Sequence, residues 1–326
     1  MKGLNKPQKP VIVVHGGAGA VSAERGHPVL NGIKKAAMRG YETLEDGGSA
    51  VDGVMEAVIV LEDDGTFNAG VGSCLNIIKE IEMDASIMDG KTLQAGAVAL
   101  VDDVKNPVRL ARIVMEKTDH VFIAGKGAGK LADIFNLERR SPITEQKLKL
   151  FEQQKKNLLI DSFQLPKLAS LIKEKPEAFE CDTVGAVALD KDGNVAAATS
   201  TGGFRLKLPG RIGDSALIGC GNYADNEFGA CSATGVGEMA IRLVLAKEVL
   251  DQVERGKTPQ EAAEYAIKLV NRRMPDVYNS QGLVVLDVHG RIGAAHNSPN
   301  LSWCYIAPET GQPVLSLTAK LVKEKV

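Results

Sequence analysis

Past the midpoint of the chain, two apolar runs flank a polar turn. Val184 to Leu189 is continuously apolar, Asp190-Lys191-Asp192-Gly193-Asn194 is polar, and Val195 to Ala198 is apolar again. Short apolar runs bounded by turn residues predict buried strands, and Asp-Gly between two of them predicts a hairpin. The same pattern predicts strands over Val11–Val14, Ile81–Met88, Ala95–Val101 and His120–Ile123. Three more short strands are expected around Leu283–Leu286, Ile292–Ala295 and Trp303–Ile306. Helical spacing runs through Leu30, Ile33, Ala36, Ala37, Tyr41 and Leu44 and stops at Asp46-Gly47-Gly48. It returns behind the N-cap candidate Ser49, through Val51, Val54, Ala57, Val58 and Leu61. Asn106-Pro107 opens another helix through Val114. One continuous helix is expected through Ile241, Leu243, Val244 and Leu250, and one over Pro259–Arg273. Strands cluster in both halves with helices in blocks, without βαβ alternation. That pattern predicts an α+β fold, with two packed sheets flanked by helices.

From about Leu137 to Glu180 the pattern gives way to Lys, Gln, Glu and scattered leucines with Pro142, Pro166 and Pro176. This is the composition of a partly helical, solvated and mobile linker. The 326 residues suffice for one large domain or two ordinary ones, and 44% hydrophobic with 25% charged residues is a soluble globular composition. A net charge of −2 gives no electrostatic footprint for nucleic acid or an anionic membrane surface. No apolar run approaches the roughly 20 residues that span a bilayer. The first residues lack the apolar core of a secretory signal, so the expected address is cytoplasmic. The five cysteines contain no CxxC pair and predict neither a disulfide framework nor a zinc site. Cys181, two residues before Thr183, reads as a bystander thiol.

Candidate chemistry sits at the ends of these elements. Thr183 opens the first strand of the hairpin and Thr201 ends its partner, so two hydroxyls come to one end of a sheet. On spacing alone, a β-branched strand former explains Thr183 at least as well. The glycines of His15-Gly16-Gly17-Ala18-Gly19 permit turns and close backbone approach. A phosphate cradle and a backbone-donor loop of a hydrolase both suit that loop, although GxGxxG spacing is absent, and His15 reads first as a structural hydrogen bonder. Gly125-Lys126-Gly127-Ala128-Gly129-Lys130 fails as a P-loop, because Ala124 stands at the first glycine position and Leu131 replaces the Ser or Thr. Thr234 and Gly235 precede a helix, whose first backbone N–H groups favour negative charge.

Several runs in order carry a resemblance. Asp182-Thr183-Val184-Gly185-Ala186-Val187, then Thr199-Ser200-Thr201-Gly202-Gly203, then Pro209-Gly210-Arg211-Ile212-Gly213-Asp214-Ser215 resemble the β-subunit of the plant-type asparaginases. These are N-terminal nucleophile hydrolases, related to glycosylasparaginase and taspase. His15–Gly19, Phe67-Asn68-Ala69-Gly70 and Glu82-Met83-Asp84-Ala85-Ser86 extend the resemblance over nearly the whole chain except the 140–180 region. Asn76-Ile77-Ile78-Lys79-Glu80 departs from the polar turn usual there, which suggests a different connection or a contact with another subunit.

The resemblance implies a four-layer αββα sandwich and self-cleavage between Asp182 and Thr183. Residues 1–182, with the linker at about 137–182, and residues 183–326 would then be the α- and β-subunit segments of one domain. A hydroxyl needs a base to become a nucleophile, and a free α-amine with a pKa of about 7.7–8.0 suits that role. A new N-terminal threonine therefore carries nucleophile and base in one residue. By resemblance Thr183 is that nucleophile, Thr201 hydrogen-bonds its hydroxyl, and Thr234 with the Gly235 N–H forms the oxyanion hole against the bound substrate. Arg211 would clamp the substrate α-carboxylate, Asp214 its α-ammonium, and Asn68 would support the nucleophile. No catalytic cofactor is implied, but a structural sodium ion is, on the backbone carbonyls of Leu61, Glu62, Asp64, Phe67, Ala69 and Val71. The implied substrates are L-asparagine and isoaspartyl dipeptides, and the implied assembly is a dimer of cleaved αβ units. A taspase-like or glycosylasparaginase-like hydrolase and a non-catalytic homologue remain the alternatives.

Overall fold

In the computed structural model, which describes residues 9–139, 143–160, 183–274 and 281–323, the chain begins with β1 (Val11–Gly19). Helices α1 (Ala23–Glu45) and α2 (Ala50–Asp63) lead to the hairpin β2 (Met83–Asp89) and β3 (Ala95–Val101). Then come α3 (Pro107–Lys117), β4 (Phe122–Ala124), α4 (Lys126–Ile134) and α5 (Glu145–Ile160). The second half opens with β5 (Val184–Leu189), β6 (Val195–Thr201), β7 (Asn222–Asp225) and β8 (Gly229–Gly235). Three helices follow: α6 (Gly237–Leu243), α7 (Leu245–Glu254) and α8 (Pro259–Arg273). Strands β9 (Gln281–Asp287), β10 (Ile292–His296), β11 (Asn300–Ile306), β12 (Val314–Ser316) and β13 (Lys320–Leu321) complete the chain.

The described residues pair into an eight-stranded sheet, β12-β11-β1-β5-β6-β2-β3-β4, and a five-stranded sheet, β13-β10-β9-β8-β7. Alternate residues of β1 explain why its run is apolar throughout. Ile12 and Val14 pack with α1 and α2, while Val11 and Val13 pack against the other sheet through Val284 and Leu286. A strand buried on both faces needs no polar alternation. On its far side the five-stranded sheet buries Cys231, Leu283 and Val285 under Leu245, Val249, Ile267 and Val270 of α7 and α8.

The hairpin forms as its pattern predicts. Leu189 stands opposite Val195 and Val184 opposite Ser200, and Asp190 Oδ1 accepts from the backbone N–H groups of Asp192 and Asn194. Capping boxes open α2 (Ser49 with Asp52) and α8 (Thr258 with Glu261). Within the linker region, α5 is helical and seats Phe151, 2% exposed, in the first core. The Asn76–Glu80 connection is a loop closed by Asn76, whose Oδ1 accepts from the N–H groups of Ile78 and Glu80 at 3.1 and 2.9 Å.

Three local expectations change. His15–Gly19 does not turn away from the sheet but continues β1, with a register shift between His15 and Ala18 and Gly17 at φ +120. Strands β7 and β8 were invisible in the pattern because Gly, Ala, Ser and Asn, weak strand formers, dominate them. The helix expected from Ile241 to Leu250 breaks at Val244, which is left-handed at φ 49. The break lets the first N–H groups of α7, at Ala246 and Lys247, reach the carbonyls of Cys220 and Gly219 at 3.3 and 2.9 Å. A β-branched residue in that conformation is strained. Val244 is 48% exposed, so Val244→Asn should stabilise the fold by roughly 0.5–1 kcal/mol, read as a higher unfolding midpoint. A lowered midpoint would mean that Val244 packing outweighs the strain.

Candidate active site

The site lies where the β5–β6 hairpin meets β8. Thr183 stands one residue before the Val184–Ser200 pair, which puts it opposite Thr201 in register. Its residue is 4% exposed and Thr201 is 3% exposed. The Thr183 backbone N–H donates to Thr234 Oγ1 at 3.3 Å, and Thr183 Oγ1 accepts from Ser215 Oγ at 3.4 Å. Thr201 Oγ1 accepts from the Gly203 N–H at 3.0 Å, which shapes the loop leaving β6. Asp182, on the other side of the expected cleavage point, lies outside the described residues, as does Cys181.

Ser215 had no assigned role in the sequence, where nothing marks it beyond its place at the end of the Arg211–Ser215 run. Its backbone carbonyl accepts from Ser86 Oγ at 2.6 Å and Thr199 Oγ1 at 2.8 Å. Asn222 Nδ2 in turn donates to both hydroxyls, at 2.7 and 2.6 Å. A buried polar cluster of this kind fixes its members to one arrangement when its bonds are made.

Asn68 pins the loop after Thr201. Its Nδ2 donates to the Gly203 carbonyl at 2.6 Å, its carbonyl accepts from the Gly202 N–H at 2.8 Å, and its Oδ1 accepts from the Cys74 N–H. A Cβ at Gly202 would lie 2.6 Å from Asn68 Oδ1, so only glycine fits there. Glu62 braces the other side of the hairpin by accepting from Ser200 Oγ at 2.7 Å and the Val108 N–H at 3.0 Å.

Two charged side chains of opposite sign, Arg211 and Asp214, lie on the segment that ends at Ser215. Asp214 is 2% exposed, and its Oδ2 has no hydrogen-bond partner among the described residues. Burial pushes its carboxyl up to about 7, against the pull of the Arg211 guanidinium. An unmet buried carboxylate oxygen is a place for a cationic group. Asp84, also buried, accepts from the N–H groups of Leu100 and Gly213 and so fixes the backbone just before Asp214. Burial raises the Asp84 pKa, opposed chiefly by the Lys207 charge. Arg211 donates through Nε and Nη2 to Glu238, at 3.0 and 2.8 Å.

Residues 8–315 match the family described as asparaginase. The chain belongs to the asparaginase family. It is 46% identical over 306 residues to the plant-type L-asparaginase of Thermococcus kodakarensis, covering 93% of this chain and 98% of that one. It is 44% identical over 301 residues to the isoaspartyl peptidase/L-asparaginase of Danio rerio, at 90% and 91% coverage. The human isoaspartyl peptidase/L-asparaginase is 44% identical over 302 residues, at 90% and 92% coverage.

In this asparaginase-family chain the His15–Gly19 end of β1 is packed into the interior. His15 is fully buried, its Nε2 lies 2.7 Å from Ser232 Oγ, and burial lowers its pKa to about 3, so it is neutral. A Cβ at Gly16 would lie 2.4 Å from the Phe67 ring, so that glycine is required by packing. Thr234 and Gly235 end β8 just before α6, with Thr234 fully buried and Gly235 at φ +128. The carbonyls considered for sodium surround a tight turn. A Cβ at Gly70 would lie 2.3 Å from the Glu62 carbonyl oxygen and one at Gly72 1.7 Å from that of Phe67. Hard oxygen donors around side-chain-free glycines fit a hard cation. The Val71 carbonyl is engaged otherwise, accepting from Lys147 Nζ at 2.9 Å. Among the described residues no group of His, Cys, Asp and Glu could hold a metal, and no helix is long and apolar enough to cross a membrane.

Proposed function

We propose that this chain is a self-cleaving threonine hydrolase that acts on the side-chain amide of L-asparagine and on β-aspartyl dipeptides. The observation that carries the reading is Thr183 itself. It sits at the head of a buried strand, with its N–H 3.3 Å from Thr234 Oγ1 and its hydroxyl 3.4 Å from Oγ of Ser215, the residue after Asp214, whose Oδ2 has no hydrogen-bond partner among the described residues. The whole stacks as an αββα sandwich, a reading supported by the three separate cores.

In maturation, Thr183 Oγ1 attacks the Asp182 carbonyl, the peptide nitrogen leaves as the amine, and water hydrolyses the resulting ester. The products are a carboxylate at Asp182 and a free α-amine at Thr183. That amine then takes the Thr183 hydroxyl proton as Oγ1 attacks the substrate's side-chain carbonyl. The oxyanion forms against the Thr234 hydroxyl and Gly235 N–H, a stabilisation of about 2.7–4 kcal/mol per donor in other hydrolases. Ammonia or an amino acid leaves with the proton, and water releases aspartate from the β-aspartyl ester. Asp214 receives the substrate α-ammonium and Arg211 its α-carboxylate, so only the side-chain carbonyl is left at Thr183. Asn68, through Gly202 and Gly203, keeps Thr201 beside the nucleophile. The names of the three relatives, plant-type L-asparaginase and isoaspartyl peptidase/L-asparaginase, support both substrate classes.

Turnover of β-Asp-Leu but not α-Asp-Leu is the expected result, because an α-linked aspartyl has no free carboxylate for Arg211. Equal turnover of both would remove the proposed pocket and favour a taspase-like protease. Glycosylasparagine should be a poor substrate: glycosylasparaginase-like relatives carry a tryptophan in the segment after the first strand, where this chain has His15-Gly16-Gly17-Ala18-Gly19, and its one tryptophan, Trp303, lies on β11 with its Nε1 donating to the Thr318 carbonyl. Thr201→Ala should mature slowly and lose roughly tenfold or more in kcat, the effect of losing the hydroxyl that accepts from the Gly203 N–H and shapes the loop beside Thr183. Full activity in that variant would exclude Thr201 from the machinery. A sodium ion on the Leu61–Val71 carbonyls would stiffen the loop carrying Asn68 without taking part in the reaction. The assembly proposed is a dimer of cleaved αβ units, and the address proposed is the cytoplasm.

A further inference from the structure

Arg211 is restrained by two groups that the reaction does not use. Its Nε and Nη2 donate to Glu238 Oε1 and Oε2 at 3.0 and 2.8 Å, and its Cζ lies 4.0 Å from the centroid of the Phe204 ring. The other end of the guanidinium lies against two glycines. A Cβ at Gly213 would sit 2.8 Å from Nη1, and one at Gly237 would sit 3.0 Å from Nη2 and 2.8 Å from Asp214 Oδ1. Glu238 therefore holds the Nε edge, while the Nη1–Nη2 end faces the same backbone that faces Asp214. The Arg211 side chain is 16% exposed and that of Glu238 52%, so Glu238 meets Arg211 from the solvent side.

A guanidinium is a planar fork that can meet a carboxylate on more than one edge. Without a brace, a long arginine loses rotamer freedom each time it binds, and that loss weakens affinity. We infer that Glu238, with Phe204 stacked on the guanidinium face, is a positioning residue that orients Arg211 to receive the substrate α-carboxylate. The inference rests on the reading of Arg211 as the carboxylate clamp. The opposite role, a built-in competitor for the same guanidinium, would require Glu238 to occupy the end that faces Asp214. It occupies the side edge instead.

The test compares matured wild type, Glu238→Ala, Glu238→Gln, Arg211→Ala and the Glu238→Ala/Arg211→Ala double variant. Each is assayed on L-asparagine and on L-asparaginamide, which lacks the α-carboxylate. Glu238→Ala should raise KM for asparagine on the order of tenfold to a hundredfold with little change in kcat, the range for a lost charge-assisted contact. Asparaginamide should be affected far less, and Glu238→Gln, which keeps one acceptor, should fall between wild type and Glu238→Ala. In the Arg211→Ala background, Glu238→Ala should add almost nothing. An unchanged KM for asparagine in Glu238→Ala would overturn the inference, and a lowered KM would make Glu238 a competitor. If Arg211→Ala itself fails to separate the two substrates, the clamp reading falls. If it separates them and Glu238→Ala does not, only the positioning role falls.

Discussion

Thr183→Ala yields a folded, uncut chain with no measurable hydrolysis of L-asparagine. In the proposed mechanism, removing the hydroxyl takes away the nucleophile of both reactions, and nucleophile deletions in comparable hydrolases cost more than about 10⁴-fold. The fold should survive, because Val184 to Leu189 remain paired with β1 and β6 and Thr183 itself lies outside the strand. Thr183→Ser separates the two demands. It keeps a hydroxyl beside Ser215 and Thr234 and should still mature, more slowly, and still hydrolyse asparagine. Electrophoresis and an ammonia-release assay on the same preparations read both outcomes. Activity in the alanine variant would move the nucleophile elsewhere.

The second large effect belongs to Asp214. Asp214→Asn should lower kcat/KM for asparagine by roughly thirty- to several-thousand-fold, since truncating one member of a buried charge pair costs about 2–5 kcal/mol. The same substitution should stabilise the unliganded protein. The native carboxyl keeps its proton up to about pH 7, held there by burial and by the neighbouring Glu238 and Asp84, with Arg211 opposing. In the unfolded chain it releases that proton near pH 4, roughly the ordinary aspartate value. Between those values the folded state binds more protons, so this group makes stability fall as pH rises through that window, and its contribution is constant above it. Asp214→Asn should remove that slope and raise the unfolding midpoint at pH 8. Wild-type kcat/KM should show an acid limb near pH 7, as Asp214 takes up a proton and loses its hold on the substrate ammonium. A variant that kept full affinity for asparagine would displace Asp214 from the pocket.

The contrast between Asp214 and its neighbours explains what the sequence could carry. The β5–β6 hairpin was legible because both its faces are buried, which makes the runs continuously apolar, and because Asp192-Gly193 suits a tight turn. Strand β8 was not legible, because it packs closely against β5 of the other sheet. A Cβ at Gly185 would lie 2.2 Å from Ser232 Oγ, so β8 is built of small residues that carry no strand signal. The break at Val244 follows from tertiary bonds to Gly219 and Cys220, which no local pattern encodes. The resemblance supplied candidate site residues, but their environment could not be read from the sequence. That Asp214 Oδ2 has no hydrogen-bond partner among the described residues, that Ser215 touches the Thr183 hydroxyl and that Arg211 is braced by Glu238 all depend on how distant segments come together.

The most direct test of the central claim is the N-terminal sequence and intact mass of purified, active protein. A hydrolase that uses the Thr183 α-amine as its base must be two chains, one ending at Asp182 and one beginning Thr183-Val184-Gly185-Ala186. Appearance of those two chains should track the rise in activity during incubation. Full activity from a single uncut chain of 326 residues would contradict the account, because the Thr183 nitrogen would still be an amide and could not take the proton.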